Sequence, residues 1–505
     1  MGPCKRTREG SIIPSCSYDN LDLTSTPRID ESGIETRMET IYSTYNLDQD
    51  VVEFVINPSN DYTDLHGSLL YVAGQILSTK PASTQAPGTQ SSTSSSGGGG
   101  GGGGTQQQQQ QQQQQNSNPQ SQQKASEDGD DGEEAEEEVV AEEEEEEAKP
   151  DMAQKKPMDF SIAPADSFLS SLFSHMELFI NNVPINKNSS YYPYVSYFLR
   201  ALGETGYTNS YLKAELYGGN LADDITRSNR ALYYRAKVAA NEKVFSVLGP
   251  ISHGIFVDNR KYLPPNVHIR LRFRKSSPEF HLNTLAPVSK LDHTFKITQC
   301  YLQVRRVEVG DSIVKHHKSL ISKRAKFNFP FYDRSIMSYQ INAGETSSTS
   351  EIISSGPIPS KLVVAFVKAG AFYGTPHLTP FTFRPFDISD CSLTLNGTSL
   401  ISKSIDFNIA ERQYLWPYHN YMFNDSESII KNDVTPDQFV RDRFLLCFNL
   451  LNSNINKFSR GKSGVLRFQV NFRRALSEPI ICLIYSESQC ICVLTGERDV
   501  SLTYV

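Results

Sequence analysis

The stretch Asp159–Gly203, DFSIAPADSFLSSLFSHMELFINNVPINKNSSYYPYVSYFLRALG, decides how the rest of this chain is read. No pair of residues in it has catalytic character. Its order is what matters. An apolar lead-in precedes a strand-like run, Met176–Ile180, and a tight polar turn at Asn181-Asn182. A polar link, Asn188-Ser189-Ser190, leads into the aromatic segment Tyr191 to Leu202, which predicts a short helix.

Outside that stretch the dominant signal is period two. Val267, Ile269, Leu271 and Phe273 alternate with His268, Arg270, Arg272 and Arg274. Alternation puts the apolar side chains on one face and the basic ones on the other, as in a half-buried antiparallel strand. Leu466, Phe468, Val470 and Phe472 repeat the pattern against Arg467, Gln469 and Asn471. Further strand candidates are Val51–Ile56, Leu69–Ile76, Lys243–Leu248, Phe295–Val309, Ala325–Phe329, Lys361–Val367, Ser392–Leu395, Ile480–Tyr485 and Ile491–Leu494. Asn396-Gly397 is a strong hairpin cue. Residues 60–64 read as a turn or loop, 281–290 as a link, and Pro436–Leu451 as a short helix in a connection. Phe295–Val309 is expected to open a second set of strands. Two strand-rich halves with few helices predict an all-β chain of two β-sandwiches. Periodicity alone does not separate a jelly roll from an immunoglobulin-like topology.

The chain has 505 residues, enough for two or three domains, with 24 Tyr, 27 Phe and a single Trp. Residues 1–35 are polar and rich in turn formers, and read as an N-terminal arm. Between the second and third strand candidates the composition collapses. Residues 80–157 contain Gly97–Gly104, Gln106–Gln115 and an acidic run ending in Glu142–Glu147. Such a segment buries too little apolar surface to offset its ordering entropy, so a disordered insert at a loop tip is expected. The window Lys124–Asp151 carries a net charge of about −14 of the chain's −8, leaving the remainder about +6. A mildly basic remainder allows weak contact with nucleic acid, or is simply a solvated surface. The eight cysteines are scattered without metal-ligand spacing, and read as buried free thiols. There is no signal-peptide pattern, and no apolar run reaches the roughly 18 residues of a membrane span. An intracellular protein (nuclear or cytoplasmic), not secreted and without a membrane span, is expected.

Candidate chemistry is sparse. Arg460-Gly461-Lys462-Ser463 contains a GKS, but the glycine that a phosphate loop needs five positions earlier is Asn456, and a strand follows instead of a helix. His316-His317 would point to opposite faces of a strand and share no ion; a basic loop is the plainer reading. Ser174-His175 and Tyr418-His419 lack a third group in the sequence. No catalytic, cofactor-binding or metal-binding residue is assigned, no cofactor is implied, and the chain is not expected to be an enzyme.

Several segments in order resemble the double jelly-roll (hexon-like) major capsid proteins of Polinton/Maverick elements and adintoviruses. They are VVEFVINPSNDYTDLHGSLLYVAGQI, SFLSSLFSHMELFINNVPI with NSSYYPYVSYFLRALG, FYDRSIMSYQINAG, GPIPSKLVVAFVKAGAFYGTPHLTPFTFRPFDISDCSLTLNGTSL and VLRFQVNFRRALSEPIICLIYSES. The family's Asn-Pro is Thr379-Pro380 here. The resemblance implies two jelly-roll β-sandwiches in tandem, the first over 36–285 and the second over 286–505. It also implies a structural major capsid protein: a homotrimer forming a pseudo-hexameric capsomer, then an icosahedral shell. Minor capsid and penton proteins would be its partners, packaged DNA a weak contact, and the virion capsid its location. The alternatives are a nucleic-acid-binding or regulatory β-sandwich protein, suggested by the Gln and Glu tracts, and a sugar-binding β-sandwich, for which the dispersed tyrosines show no concave aromatic site.

If the insert is only a lengthened loop, closure entropy grows logarithmically with its length and its removal costs the fold little. Deleting residues 82–156 should leave the thermal unfolding transition and the number of subunits per particle in solution unchanged. Insoluble or monomeric product from that deletion, against a soluble oligomer from the full chain, would contradict the loop reading.

Overall fold

The computed structural model describes residues 33–79, 162–186, 190–203, 209–218, 225, 229–285, 291–400, 405–423, 434–451 and 462–505, with two short strands before them. These are β1 (Lys5–Arg6) and β2 (Ile12–Ile13), which pair with each other inside the expected arm. The rest of the arm up to residue 32, and the expected insert, lie outside the described residues, as do Cys4, Cys16, Asn188 and Asn424.

The first sandwich takes β3 (Gly33–Tyr42), β4 (Val51–Ile56), β5 (Tyr62–Ser78), β6 (Ile162–Pro164), β7 (Phe173–Ile180), β8 (Val183–Pro184), β9 (Phe245–Pro250), β10 (Ile269–Lys275), β11 (Leu282–Thr284) and β12 (His293–Val309). Its sheets run β4-β10-β7-β8 and β3-β12-β5-β9, with a small β11-β6 pair. The second takes β13 (Lys326–Ile341), β14 (Ser347–Thr349), β15 (Lys361–Lys368), β16 (Ile388–Leu395), β17 (Thr398–Ser399), β18 (Ile405–Asp406), β19 (Leu445–Asn449), β20 (Leu466–Phe472), β21 (Ile480–Thr495) and β22 (Val500–Tyr504). Its sheets run β13-β21-β15-β19, with β22 on β21, and β14-β20-β16-β17, with β18 on β16. All the strand pairs between these named strands are antiparallel. The chain is an all-β double jelly roll with short helices in its connections.

The alternating strands behave as their period requires. Ile269, Leu271 and Phe273 of β10, and Leu466, Phe468 and Val470 of β20, are at most 1% exposed. Asn181-Asn182 and Asn396-Gly397 both turn with positive φ at their two central residues, the conformation that two-residue hairpins need. Five expectations change. Residues 281–290, expected as a link, hold β11, which pairs with β6. Residues 62–64 belong to β5, whose pairing with β12 continues through Tyr62. Ile480–Tyr485 and Ile491–Leu494 are one unbroken strand, because β13 pairs with β21 in register along its whole length. Pro436–Leu451 holds a helix only over Pro436–Asp442, capped by Thr435 and Gln438, and then enters β19. Residues 295–309 do not open the second set: β12 lies between β3 and β5, so the boundary expected at 285/286 falls inside the first sandwich. The pairing partners of β12 are more than 200 residues upstream, which the local pattern does not show.

Helix α1 (Phe168–Ser171) leads into β7, and α2 (Tyr192–Ala201) follows β8. Every residue of α2 is buried, Ser196 and Arg200 included. Pro193 in its first turn suits the helix start. Tyr192 packs in the first core, while Tyr194, Tyr197 and Phe198 pack in the second. Tyr197 stacks on Phe381 at 4.7 Å between centroids, and Phe198 meets Tyr485 at 5.5 Å. Such pairs are each worth about 0.5–1.5 kcal/mol beyond their buried area. The exchange runs the other way too. Phe329 and Phe331 of β13 and Cys490, Cys492 and Leu494 of β21 pack in the first core, whereas Ile336 and Ile480–Tyr485 of the same strands pack in the second.

Two buried ionic groups fix these shared elements. Arg200 of α2 donates to the Ser196 carbonyl at 2.8 Å and to Ser252 Oγ at 2.8 Å, and pairs with Glu215. Burial pushes the Glu215 carboxyl up to about 7 against the pull of Arg200. After α3 (Asn209–Leu212) and α4 (Arg230–Val238), α5 (Gly254–Val257) docks on the edge of β13. A Cβ at Gly254 would sit 2.1 Å from the Tyr332 carbonyl oxygen, so only glycine permits this approach. Asp258, just beyond α5, accepts two bonds from Arg334 of β13, at 2.6 and 3.0 Å, and one from the Tyr332 amide at 2.9 Å. Arg334 also donates to Glu487 of β21 at 2.8 Å.

The six described cysteines are buried free thiols, and burial raises the Cys490 and Cys492 thiols to about 12. Two histidines are also buried. Burial pushes both His253 and His281, the last residue of α6 (Pro278–His281), down to about 3, so they are neutral in the fold.

Glu215→Ala leaves Arg200 charged and unpaired in the core. A loss of about 3–5 kcal/mol is expected, read as a lower midpoint in urea. An unchanged midpoint would mean that the pair holds nothing. The histidines set an acid limit. Between about pH 6.5 and 3 the unfolded chain binds protons that the folded chain refuses, so stability falls as pH is lowered. Each imidazole contributes a slope of about 1.4 kcal/mol per pH unit in that window. His281→Gln should flatten the melting temperature against pH between 6 and 4; an unaltered slope would exclude His281 as a source.

Candidate assembly and ligand surfaces

The sequence candidates do not assemble into a catalytic centre among the described residues. His316 and His317 lie on a helix, α7 (Asp311–Ser322), and not on a strand or loop. Their rings are 6.0 Å apart, and His317 Nδ1 turns to the Tyr62 hydroxyl at 2.7 Å. Among the described residues no three His, Cys, Asp or Glu side chains gather as a metal site. Lys462 and Ser463 run beside Pro357 and Ile358 and lead into β20, which gives no helix N-terminus for a phosphate; Arg460 and Gly461 lie outside the described residues. His175 Nδ1 is 2.9 Å from Ser174 Oγ, but that hydroxyl is also placed to donate to the Arg274 and Lys275 carbonyls, each at 3.3 Å. Burial and Arg274 lower the His175 pKa, partly offset by Glu177. His419 of α9 (Leu415–Met422) is stacked between Trp416 and Phe423, at 5.4 and 4.5 Å, with no nucleophile in that stack.

The basic face of β10 is largely engaged by its own sheet. Arg270 lies over the Phe179 ring at 4.5 Å. Arg272 is paired with Glu53 at 2.9 Å and Glu177 at 3.6 Å. On β20, Asn471 donates to Asp390 at 2.7 Å. These are ordinary cross-strand pairs on a solvated sheet face. Among the described residues no helix is long and apolar enough to cross a membrane.

Two surfaces stand out. One is apolar: Leu415, Trp416 and Phe423 are 51%, 66% and 58% exposed at the two ends of α9. The helix itself is held down by Tyr421, which donates to the Ala201 carbonyl at 3.1 Å, and by Tyr418, which donates to the Val434 carbonyl at 2.7 Å. The other is a groove of about 360 Å³. Its wall is built by Tyr191, Tyr194, Phe280, Phe372 and Tyr373, the last two at the end of α8 (Ala369–Phe372). Tyr194 and Phe372 stack at 5.7 Å, and Phe372 and Tyr373 meet edge to face at 5.2 Å. Sequence reading found no concave aromatic site, because these rings come from three separate segments whose meeting has no local signal.

No family model matches the sequence. A curated relative, "Uncharacterized protein F54H12.2" of Caenorhabditis elegans, is 21% identical over 259 residues. That match covers 51% of this chain, and the chain spans 60% of the relative's length. Solved structures share the fold across nearly the whole chain. A chain of the Sputnik virophage structure is 12% identical, with 97% of this chain and 93% of that one covered and a TM-score of 0.56. The PBCV-1 protein VP54, fitted into a reconstruction of Sputnik, is 9% identical, with 95% and 99% covered and a TM-score of 0.50. The mavirus major capsid protein is 9% identical, with 100% and 97% covered and a TM-score of 0.48. At these identities the likeness is one of fold, the double jelly roll that viral major capsid proteins use.

Proposed function

We propose that this chain is a major capsid protein, the shell-forming subunit of a Polinton/Maverick or adintovirus-type DNA element. The observation that supports it best is two jelly rolls in one chain, joined through α2 and through the shared strands β13 and β21. A block that tiles a closed shell must transmit load between its two halves without hinging, and shared core elements supply that. Three copies would place six sandwiches around a three-fold axis, a pseudo-hexagonal capsomer made from one kind of chain. In this reading the first jelly roll runs from residue 36 to the end of β12, and the second from β13 to the C-terminus. Minor capsid and penton proteins are its further partners, packaged DNA is at most a weak contact, and the virion capsid is its location. No enzymatic role is proposed, because the Ser174-His175, His316-His317 and Lys462-Ser463 candidates do not converge.

The α9 patch is the face assigned to contact between copies. Exposed aromatic residues held on a fixed helix are typical anchors of an interface. Light scattering of the purified chain should give about 170 kDa, three times 56.6 kDa. Trp416 is the sole tryptophan, so its emission reports on this face directly. Dilution should shift that emission to the red as trimers separate, and a Trp416→Ala/Phe423→Ala variant should be monomeric and still folded, with a melting temperature that no longer depends on concentration. A full-length chain that stays monomeric at micromolar concentration would overturn the capsomer reading; a trimer that survives the double substitution would remove only α9 from its interface.

A further inference from the structure

We propose that the outer edge of β3 pairs, antiparallel, with β3 of a second copy of this chain across a two-fold axis at Met38. It is a different surface from the α9 face, and the inference does not rest on the capsid reading.

β3 is the end strand of its sheet, paired with β12 along one edge and with no described strand along the other. It is ten residues long, against about five or six for an ordinary strand. Every residue from Glu35 to Thr40 is exposed, so neither face of the strand is covered. By contrast the end strands β4, β9 and β19 are mostly buried, and β14 has three residues. β3 holds no proline, and its register with β12 is unbroken from Glu35 to Tyr42. A long, exposed and regular edge offers its unpaired amides and carbonyls to another strand.

The side chains of β3 select its own copy as the partner. About a two-fold axis normal to the sheet, opposite residues share a face, so the axis must pass through a residue. An axis at Arg37 sets Arg37 against itself and Glu35 against Glu39, and an axis at Glu39 sets Glu39 against itself. Like charges directly opposite are destabilising. An axis at Thr36 pairs only residues 33–39. An axis at Met38 pairs residues 34–42, and sets Arg37 against Glu39 and Thr36 against Thr40 on both sides of the axis. Opposite charges and paired threonines are the favourable cross-strand neighbours. Within its own chain Arg37 pairs with Asp61 at 2.7 Å and Glu39 with Arg306 at 2.6 Å, yet the two side chains are still 67% and 45% exposed. A guanidinium has five donors and a carboxylate about four acceptor sites, so each can take a second partner. Thr40 accepts from Gln303 at 2.9 Å, which leaves its hydroxyl proton for Thr36 of the second copy. The sheet β9-β5-β12-β3 of one copy would then continue into that of the other.

Cysteine crosslinking of the full-length chain, with Cys4 and Cys16 changed to serine, tests the register. Met38 is 49% exposed and outside both cores, so its substitution leaves the fold intact. Directly opposite residues bring their Cα atoms within about 4.5–5.5 Å, inside disulfide range, whereas Thr40 and its copy would be four residues of rise apart, about 13 Å. Met38→Cys should therefore give a covalent dimer with oxidised glutathione at micromolar protein concentration, and Thr40→Cys should not. Charge supplies the second measurement. Met38→Lys and Met38→Glu should each weaken self-association about tenfold, read by light scattering as a loss of mass growth on concentrating, and an equimolar mixture of the two should restore it. Both readings hold whether the unit that associates is a monomer or a trimer, so failure here and failure of the capsomer reading are distinguishable. No dimer from Met38→Cys, equal crosslinking by the two cysteine variants, or a mixture that associates no better than its components would each overturn the proposal. With Cys4 and Cys16 restored in the Met38→Cys chain, a disulfide from position 38 to either of them within one chain would give the edge to the N-terminal arm and overturn it too.

Discussion

The rest of the molecule depends on burying α2 on every side. A helix of ten residues with no solvent face cannot belong to the surface of one sandwich; it must be enclosed. Here the enclosure is made by both cores, with Tyr192 in one and Tyr194, Tyr197 and Phe198 in the other. The helix carries one charge, on Arg200, and that charge goes into the interior with it. Glu215, Ser196 and Ser252 then become obligatory, because an unpaired buried guanidinium would cost more than the surrounding contacts return.

The same logic of sharing extends to the two longest strands of the second half. β13 and β21 run side by side for sixteen paired residues, from the second core into the first. Separating the sandwiches would therefore break two cores at once, along with the Asp258–Arg334–Glu487 group that sits at their meeting. The joint tolerates no side chain at Gly254, where helix and strand backbones touch. These features tie the two sandwiches together through shared cores.

What remains for function is surface, and the surface divides by chemistry. On the open face of β10, Arg270 lies over a ring and Arg272 is matched by two carboxylates of the same sheet. Leu415, Trp416 and Phe423 are exposed at the ends of α9, and aromatic rings wall the groove. In the proposed reading the first meets a copy of the same chain.

The sequence by itself determined many of the longer strands, though not β3, β19 or β22, and also the inward faces of β10 and β20, the two Asn-led hairpin turns and the helical nature of Tyr192–Ala201. All of these follow from local physics: a two-residue period, a backbone preference at Asn and Gly, an aromatic run without alternation. Only the tertiary structure decided where those elements go. It placed β12 between β3 and β5, fused 480–485 with 491–494 into one strand, put His316 and His317 on a helix, and gathered the groove from distant segments. Strand pairing and ring packing are contacts between residues far apart in the chain, and β12 and β13 carry the same alternating pattern whichever sandwich receives them. The choice between them lies in their pairing partners, β3 and β5 for β12 and β21 for β13, and those pairings exist only in the assembled fold.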